Sequence, residues 1–110
     1  MALSDDITDE LVQTHVRGCW GYWHVLFLGW GDDHMESLAA AVTAARTAGD
    51  QEMLGLHLAR YSFLECLRSD YTGAIRTAEE GAQLGLLASD AHSYLLAQYF
   101  EAWALLHAGR

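Results

Sequence analysis

The feature that most constrains this chain is the helical spacing of its apolar residues in the complete absence of proline. The 110 residues include no proline, and apolar side chains recur every three or four positions. That period places side chains on one face of an α-helix, and alternation typical of strands is almost absent. Because proline breaks helix interiors, a chain without it can form long helices. We therefore expect an all-α fold in a single domain covering residues 1–110.

Helix stop and start signals recur along the chain as a glycine or serine followed by aspartate. Such pairs end one helix and cap the next, and they stand at Gly49-Asp50, Ser69-Asp70 and Ser89-Asp90. An equivalent turn at Gly31-Asp32-Asp33 adds Glu36 at the spacing of a capping box begun by Asp33. These signals predict five helices, at roughly 5–29, 34–48, 51–68, 71–87 and 90–108.

The turn signals are spaced as in a repeat. Asp50 and Asp90 are 40 residues apart, and Asp33 and Asp70 are 37 residues apart. Such a spacing predicts a repeating pair of antiparallel helices. The second helix of each pair is rich in alanine, which favours close packing against its neighbours. The expected architecture is a solenoid of two helical hairpins and a fifth helix.

Residues 69–82 carry a family resemblance. The turn aspartate Asp70, the aromatic Tyr71 and the Ala74-Ile75 pair resemble the second half of a tetratricopeptide repeat. Residues 36–38 are similar in degenerate form, and Ala108-Gly109 looks like the turn that opens another second helix.

The repeat is longer than the roughly 34 residues of the standard unit and lacks its closing proline. In both respects it resembles the tetratricopeptide-like arrays of large bacterial signal-transducing ATPases and LuxR-type regulators. The resemblance implies a right-handed solenoid that binds proteins or oligomerises. It also implies that the chain is part of a larger bacterial regulator, with ATPase and DNA-binding work done by other domains.

Charge and composition exclude several classes of function. The chain has 6 basic and 15 acidic residues and a net charge of −9, and its arginines are scattered, so we expect no nucleic-acid binding. No apolar stretch approaches the roughly 18 residues of a membrane span, and we expect no membrane partner. Two cysteines and an acidic N-terminus predict a reduced, cytoplasmic protein.

The first helix is apolar on two faces. One stripe contains Val16, Trp20, Trp23, Phe27 and Trp30. A second stripe contains Leu11, His15, Cys19, Tyr22 and Leu26. Such a helix is expected to lie between neighbours. Glycines at positions 18, 21 and 29 leave room for close approach.

Four residues of this helix have two interpretations. Trp20, Trp23, His24 and Trp30 could line a pocket for a planar or cationic ligand, because aromatic faces attract both. At helical spacing the same residues also suit a core or an interface. The pocket interpretation supports an alternative function, a small-molecule-sensing helical domain.

Candidate catalytic and metal-binding groups are sparse. His15 and Cys19 supply two metal ligands where a structural zinc site needs about four, and ordinary packing explains them better. The acidic cluster at 32–36 suits a helix start. His57 and Cys66 lie on opposite sides of one helix. We therefore expect no enzyme activity, no metal and no cofactor.

The last helix suggests an interface. Its large apolar residues cover well over half of its circumference, and the candidate contact residues are Tyr94, Tyr99, Phe100, Trp103 and Leu106. An apolar patch of a few hundred Å² on a protein surface usually marks an interface. The main prediction is therefore a non-catalytic protein-interaction or oligomerisation module whose partner is another protein or a second copy, most simply in a homodimer.

Overall fold

The computed structural model describes the backbone of residues 6–109 and the side chains of residues 10–31 and 33–109. It is all-α over this range, with no strand among the described residues. The five helices are α1 (Asp6–Leu28), α2 (Asp32–Ala48), α3 (Gln51–Leu67), α4 (Tyr71–Leu87) and α5 (Ala91–His107). The prediction of an all-α chain with five helices is confirmed, and every predicted helix end lies within two residues of the observed one.

Three of the helix joints have the same structure because each contains a glycine or serine followed by an aspartate. The residue before each aspartate adopts a left-handed conformation, with φ of 72° at Gly49, 64° at Ser69 and 56° at Ser89. The aspartate that follows then accepts a hydrogen bond from the backbone N–H three residues later. Its own N–H returns to the preceding helix, at 2.8–3.0 Å in all three joints. The predicted stop-and-cap role of these pairs is confirmed.

The joint between α1 and α2 is different, and the predicted capping box there is wrong. Helix α2 begins one residue before Asp33, its N-cap is the extended Gly31, and no side chain caps it. The Gly31 carbonyl accepts from the His34 N–H at 3.0 Å instead. Asp33 lies inside the helix, where its backbone is already helical and its carboxylate cannot act as the N-cap.

Helix α3 is the centre of the molecule. Consecutive helices pack against each other, and α3 also contacts α1 and α5. Helices α2 and α4 meet through an ion pair, in which Arg46 Nη1 lies 2.8 Å from Glu80 Oε2. The core is built on Phe63 of α3, whose ring lies 4.8 Å from Phe100 of α5 and 6.1 Å from Tyr22 of α1, measured between centroids.

Small residues let α1 and α2 approach closely, as the sequence predicts. A Cβ at Gly18 would lie 2.6 Å from the Cβ of Ala41, and Ala41 is fully buried. Gly29 does not share this role, because it follows the helix with φ of 107° and has no neighbour within 4 Å of its Cβ position. Across residues 6–109 no helix is both long and apolar enough to cross a bilayer.

Candidate interaction surfaces and a buried polar cluster

The outer face of α1 carries an exposed apolar strip, which we name the α1 stripe. Its members are Val12 (53% exposed), Val16 (60%), Trp20 (60%), Trp23 (44%) and Phe27 (74%). The prediction that α1 lies between neighbours on both faces is therefore wrong. Helices α2 and α3 cover only one side of α1, because no element of the described chain packs on the other.

Among the four residues proposed for a ligand pocket, Trp20 and His24 contact each other, and Trp23 contacts Phe27. The Trp20 ring meets His24 edge-on at 5.9 Å, and His24 in turn lies 4.1 Å from His34 of α2. Trp23 stacks on Phe27 at 5.7 Å between centroids. Trp30 follows the end of α1 and is 41% exposed. The result is an aromatic surface on which neighbouring rings contact one another along the helix.

A second apolar surface lies on α5. A shallow groove of about 370 Å³, which we name the α5 groove, is lined by Tyr99, Ala102, Trp103, Leu106 and His107. The Trp103 indole N–H donates to His107 Nε2 at 3.0 Å, and His107 Nδ1 hydrogen-bonds the Trp103 carbonyl at 2.9 Å. The polar edge of the indole is thus satisfied within the helix, and its apolar face is available to the groove.

The five interface residues predicted on α5 do not share one surface. Tyr99 and Leu106 are exposed, at 64% and 74%, and Trp103 is half-buried. Phe100 is 5% exposed because it stacks on Phe63, so it belongs to the core and offers no surface to a partner. Tyr94 is half-buried against the alanine cluster of α3, α4 and α5. Leu95, 63% exposed, also belongs to the outward face of α5.

The inner face of α1 meets α3 through polar contacts. His15 Nδ1 and His57 Nε2 share a hydrogen bond of 2.8 Å, with the two rings stacked. One turn further along, Arg60 Nη1 donates to Cys19 Sγ at 3.2 Å. Hydrogen bonds as well as apolar packing therefore join the second predicted stripe of α1 to α3.

Burial changes the chemistry of His57. The residue is fully buried, and desolvation lowers its pKa from 6.5 to about 4, with smaller contributions from His15 and Arg60. Its Nδ1 has no hydrogen-bond partner among the described residues, and neither has Nε2 of His15. The His57 imidazole is thus neutral near pH 7.

Arg60 is a buried cation that sequence analysis missed. It is 9% exposed, and its guanidinium lies over the rings of Tyr22 and Trp23, at 4.9 and 5.8 Å from their centroids. Its Nε has no partner, and the ion pair seen in the described chain joins other residues, Arg46 and Glu80. The hint in the sequence is an arginine in the middle of α3, between Ala59 and Tyr61.

Two further polar groups of α3 are also buried. Burial raises the pKa of the Glu65 carboxyl, and its Oε1 has no partner in the described structure. Burial and the neighbouring Glu65 raise the pKa of Cys66 to about 11. His57 and Cys66 make separate contacts, His57 with His15 and Cys66 with the Phe100 carbonyl.

The acidic cluster at the start of α2 does not form a closed site. Asp33 and Glu36 are exposed, and the His34 ring packs on His24. The side chain of Asp32 lies outside the described residues. Across the described part of the chain, no group of three histidine, cysteine or acidic side chains is arranged to hold a metal ion.

Comparison with known proteins gives no relative for this chain: no protein-family model matches it, and no curated protein or solved structure matches it significantly.

Proposed function

We propose that the protein is a non-catalytic oligomerisation module that pairs with a second copy of itself through the α1 stripe. The observation that carries the proposal is the exposure of Trp20, Trp23 and Phe27 along one continuous helix face. Large aromatic side chains dominate the binding energy of protein interfaces. A partner helix would remove these rings from water.

The area of the stripe is in the range that self-association requires. Three partly exposed aromatic rings and two valines present roughly 500 Å² of apolar surface. This is at the upper end for the largest patch on a monomer and a large share of the roughly 800 Å² that each partner buries in a standard interface. From Val16 to Phe27 the members are spaced four, three and four residues apart, the period with which two helices pack along a common seam.

The absence of carboxylates along the α1 stripe permits a second copy as the occupant. The chain carries a net charge of −9, so two copies repel each other over most of their surfaces. Residues 11–31, which include the whole stripe, contain no aspartate or glutamate and one basic residue, Arg17. Two α1 helices can therefore meet without bringing carboxylates together. A two-fold pairing of identical stripes also gives a closed dimer.

The scaffold that supports this role is proposed to be a right-handed, tetratricopeptide-like helical repeat. The support comes from the three equivalent joints at Asp50, Asp70 and Asp90, which are 20 residues apart, and from the contacts of α3 with α1 and α5. The cytoplasmic location and the origin in a larger bacterial regulator stay predictions. The alternative of a small-molecule sensor, with Trp20, Trp23, His24 and Trp30 as pocket walls, also stays a prediction.

The proposal is tested by the mass in solution of three variants and the unmodified chain. Trp20→Glu places a charge in the α1 stripe, Tyr99→Glu places one in the α5 groove, and Leu87→Glu is a matched control at a leucine 74% exposed on α4. We expect sedimentation equilibrium to give a dimer for the control and a monomer for Trp20→Glu, with helical content unchanged in each.

The Tyr99→Glu variant distinguishes two geometries. If it stays dimeric, the pairing joins two α1 stripes. If both Trp20→Glu and Tyr99→Glu are monomeric, the stripe of one copy meets the α5 groove of another, and the two-fold pairing is overturned. A dimer that persists in Trp20→Glu, or an unmodified chain that is monomeric throughout, contradicts the proposal.

A further inference from the structure

We propose that the α5 groove binds a small quaternary ammonium ion, a solute of the choline type, against the rings of Tyr99 and Trp103. The inference is independent of self-association through the α1 stripe. It rests on the angle between the two rings, on the contacts that hold Trp103 in place, and on a second ring pair in the chain that already holds a cation.

The two rings form a corner. Tyr99 and Trp103 are one helical turn apart on α5, their centroids are 6.4 Å apart, and their planes meet at 80°. Both line the groove, whose volume of about 370 Å³ is near the lower end for a small-molecule pocket. A methylated ammonium group in such a corner contacts two π-systems at once, and aromatic cages recognise it in this way.

The Trp103 side of the corner is held rigidly. Its ring centroid lies 5.4 Å from that of Phe63 in the core, and its N–H donates to His107 Nε2 at 3.0 Å. The His107 ring is fixed in turn by the Trp103 carbonyl and by stacking on Tyr71 of α4. A ring nitrogen that accepts a hydrogen bond carries no proton, so His107 presents no charge to an incoming cation. A preformed wall of this kind reduces the entropy lost on binding.

The chain contains the same arrangement elsewhere with a cation in place. Tyr22 and Trp23 of α1 meet at 78°, with centroids 5.5 Å apart. The Arg60 guanidinium lies over both rings, at 4.9 and 5.8 Å from their centroids. Among the described residues, no arginine lies over the tyrosine and tryptophan of the α5 groove. The α5 pair is therefore the counterpart that is open to a cation from solution.

Charge favours a cation over a neutral ligand of the same shape. The chain has a net charge of −9, which raises the concentration of cations near its surface. Helix α5 contains no lysine or arginine and one acidic residue, Glu101. No lining residue of the groove is a permanent cation. An ammonium ion therefore meets π-faces there without a competing positive charge.

The first test compares choline with its uncharged isostere, 3,3-dimethyl-1-butanol, by calorimetric titration of the full chain at constant ionic strength. The two molecules have nearly the same shape and differ in charge. We expect choline to bind about tenfold more tightly. Equal affinities would show that the groove selects apolar shape alone and would overturn the proposal, as would an absence of choline binding up to about 50 mM.

Variants test the role of the ring. Tyr99→Leu removes the π-face at an exposed position and should weaken choline binding about tenfold, whereas Tyr99→Phe keeps the face and should bind as the unmodified chain does. Trp20→Leu is the control, at a tryptophan 60% exposed on α1, and should leave the affinity unchanged. Unchanged affinity in Tyr99→Leu, or a loss in Trp20→Leu as large, would place the cation elsewhere and refute the site.

A second measurement uses only the unmodified chain. Nuclear Overhauser contacts between the choline methyl protons and aromatic ring protons identify the rings that the ligand touches. We expect contacts with Tyr99 and Trp103. Contacts with the aromatic rings of α1 in their place would contradict the proposal.

Discussion

His15 and His57 join the first and third helices through a hydrogen bond of 2.8 Å between their imidazole nitrogens, with ring centroids 5.0 Å apart. The fold disfavours protonation of His57, since a charge on its ring would be buried beside Arg60. The contact between α1 and the rest of the molecule therefore depends on pH.

The expected result is loss of stability in acid through His57. In the unfolded chain its pKa is about 6.5 and in the folded chain about 4, so between these values the unfolded state binds more protons. Stability then falls as the pH drops through this window, by about 3 kcal/mol in total.

Urea unfolding of the unmodified chain and of His57→Gln at pH 7 and pH 4 measures the difference. The variant should lose less stability, whereas His92→Gln, at an exposed histidine, should match the unmodified chain. Equal losses in all three would refute the assignment.

Glu65 has the opposite dependence on pH. Burial raises the pKa of its carboxyl, so the folded state binds more protons than the unfolded state at mildly acidic pH, and stability falls as the pH rises through this range. Glu65→Gln removes the buried charge and should stabilise the protein by about 1 kcal/mol at pH 7 and by less at pH 4. Glu79→Gln, at an exposed position on the adjacent helix, should change stability little. A gain from Glu65→Gln that does not depend on pH would contradict this account.

The capping aspartates should each contribute to stability. Asp50, Asp70 and Asp90 accept hydrogen bonds from the N–H groups at the start of the next helix. Replacing any of them by alanine should cost about 1 kcal/mol, and asparagine should retain most of the stability. Asp33→Ala is the control, because Asp33 caps nothing, and it should stay within about 0.5 kcal/mol of the unmodified chain. Thermal unfolding of these alanine variants compares their stabilities. If Asp33→Ala loses as much stability as Asp70→Ala, negative charge near a helix start, and not the capping hydrogen bond, is the stabilising factor.

The close approach of α1 and α2 at Gly18 should be sensitive to a single methyl group. The added Cβ of Gly18→Ala would stand 2.6 Å from that of Ala41, so the helices must separate, at a cost of about 1–3 kcal/mol. The double variant Gly18→Ala, Ala41→Gly removes the opposing methyl group and should recover part of this loss. Its loss of stability should be smaller than the sum of the losses of the two single variants. Strict additivity in urea unfolding would mean that the two positions do not meet.

Local signals explain why so much of the helix pattern could be predicted. A residue in the left-handed conformation followed by a capping aspartate is a short-range device, and it fixes the joints at 49–50, 69–70 and 89–90 without reference to the rest of the fold. The capping role predicted for Asp33 is the exception, because Asp32 and Asp33 are consecutive and the helix can begin at either residue. There the backbone begins the helix one residue earlier, after Gly31.

Burial was harder to predict because it depends on which neighbours exist. Helix α1 has two apolar faces, and periodicity alone does not say that only the face with His15, Cys19 and Tyr22 is covered. Periodicity likewise does not reveal that Phe100 is buried, since its partner Phe63 lies 37 residues away in the chain. The contact between Cys19 and Arg60 is equally non-local, so no spacing rule would have paired them.

The measurement that tests the central claim most directly is the absolute mass of the unmodified chain, by light scattering behind a sizing column over a wide dilution series. A monomer has a mass of 12.2 kDa. The account predicts twice that mass at high concentration, with dissociation on dilution and no species larger than a dimer. A mass of one chain at every concentration would contradict self-pairing through the α1 stripe, and a mass that keeps growing with concentration would contradict its two-fold geometry.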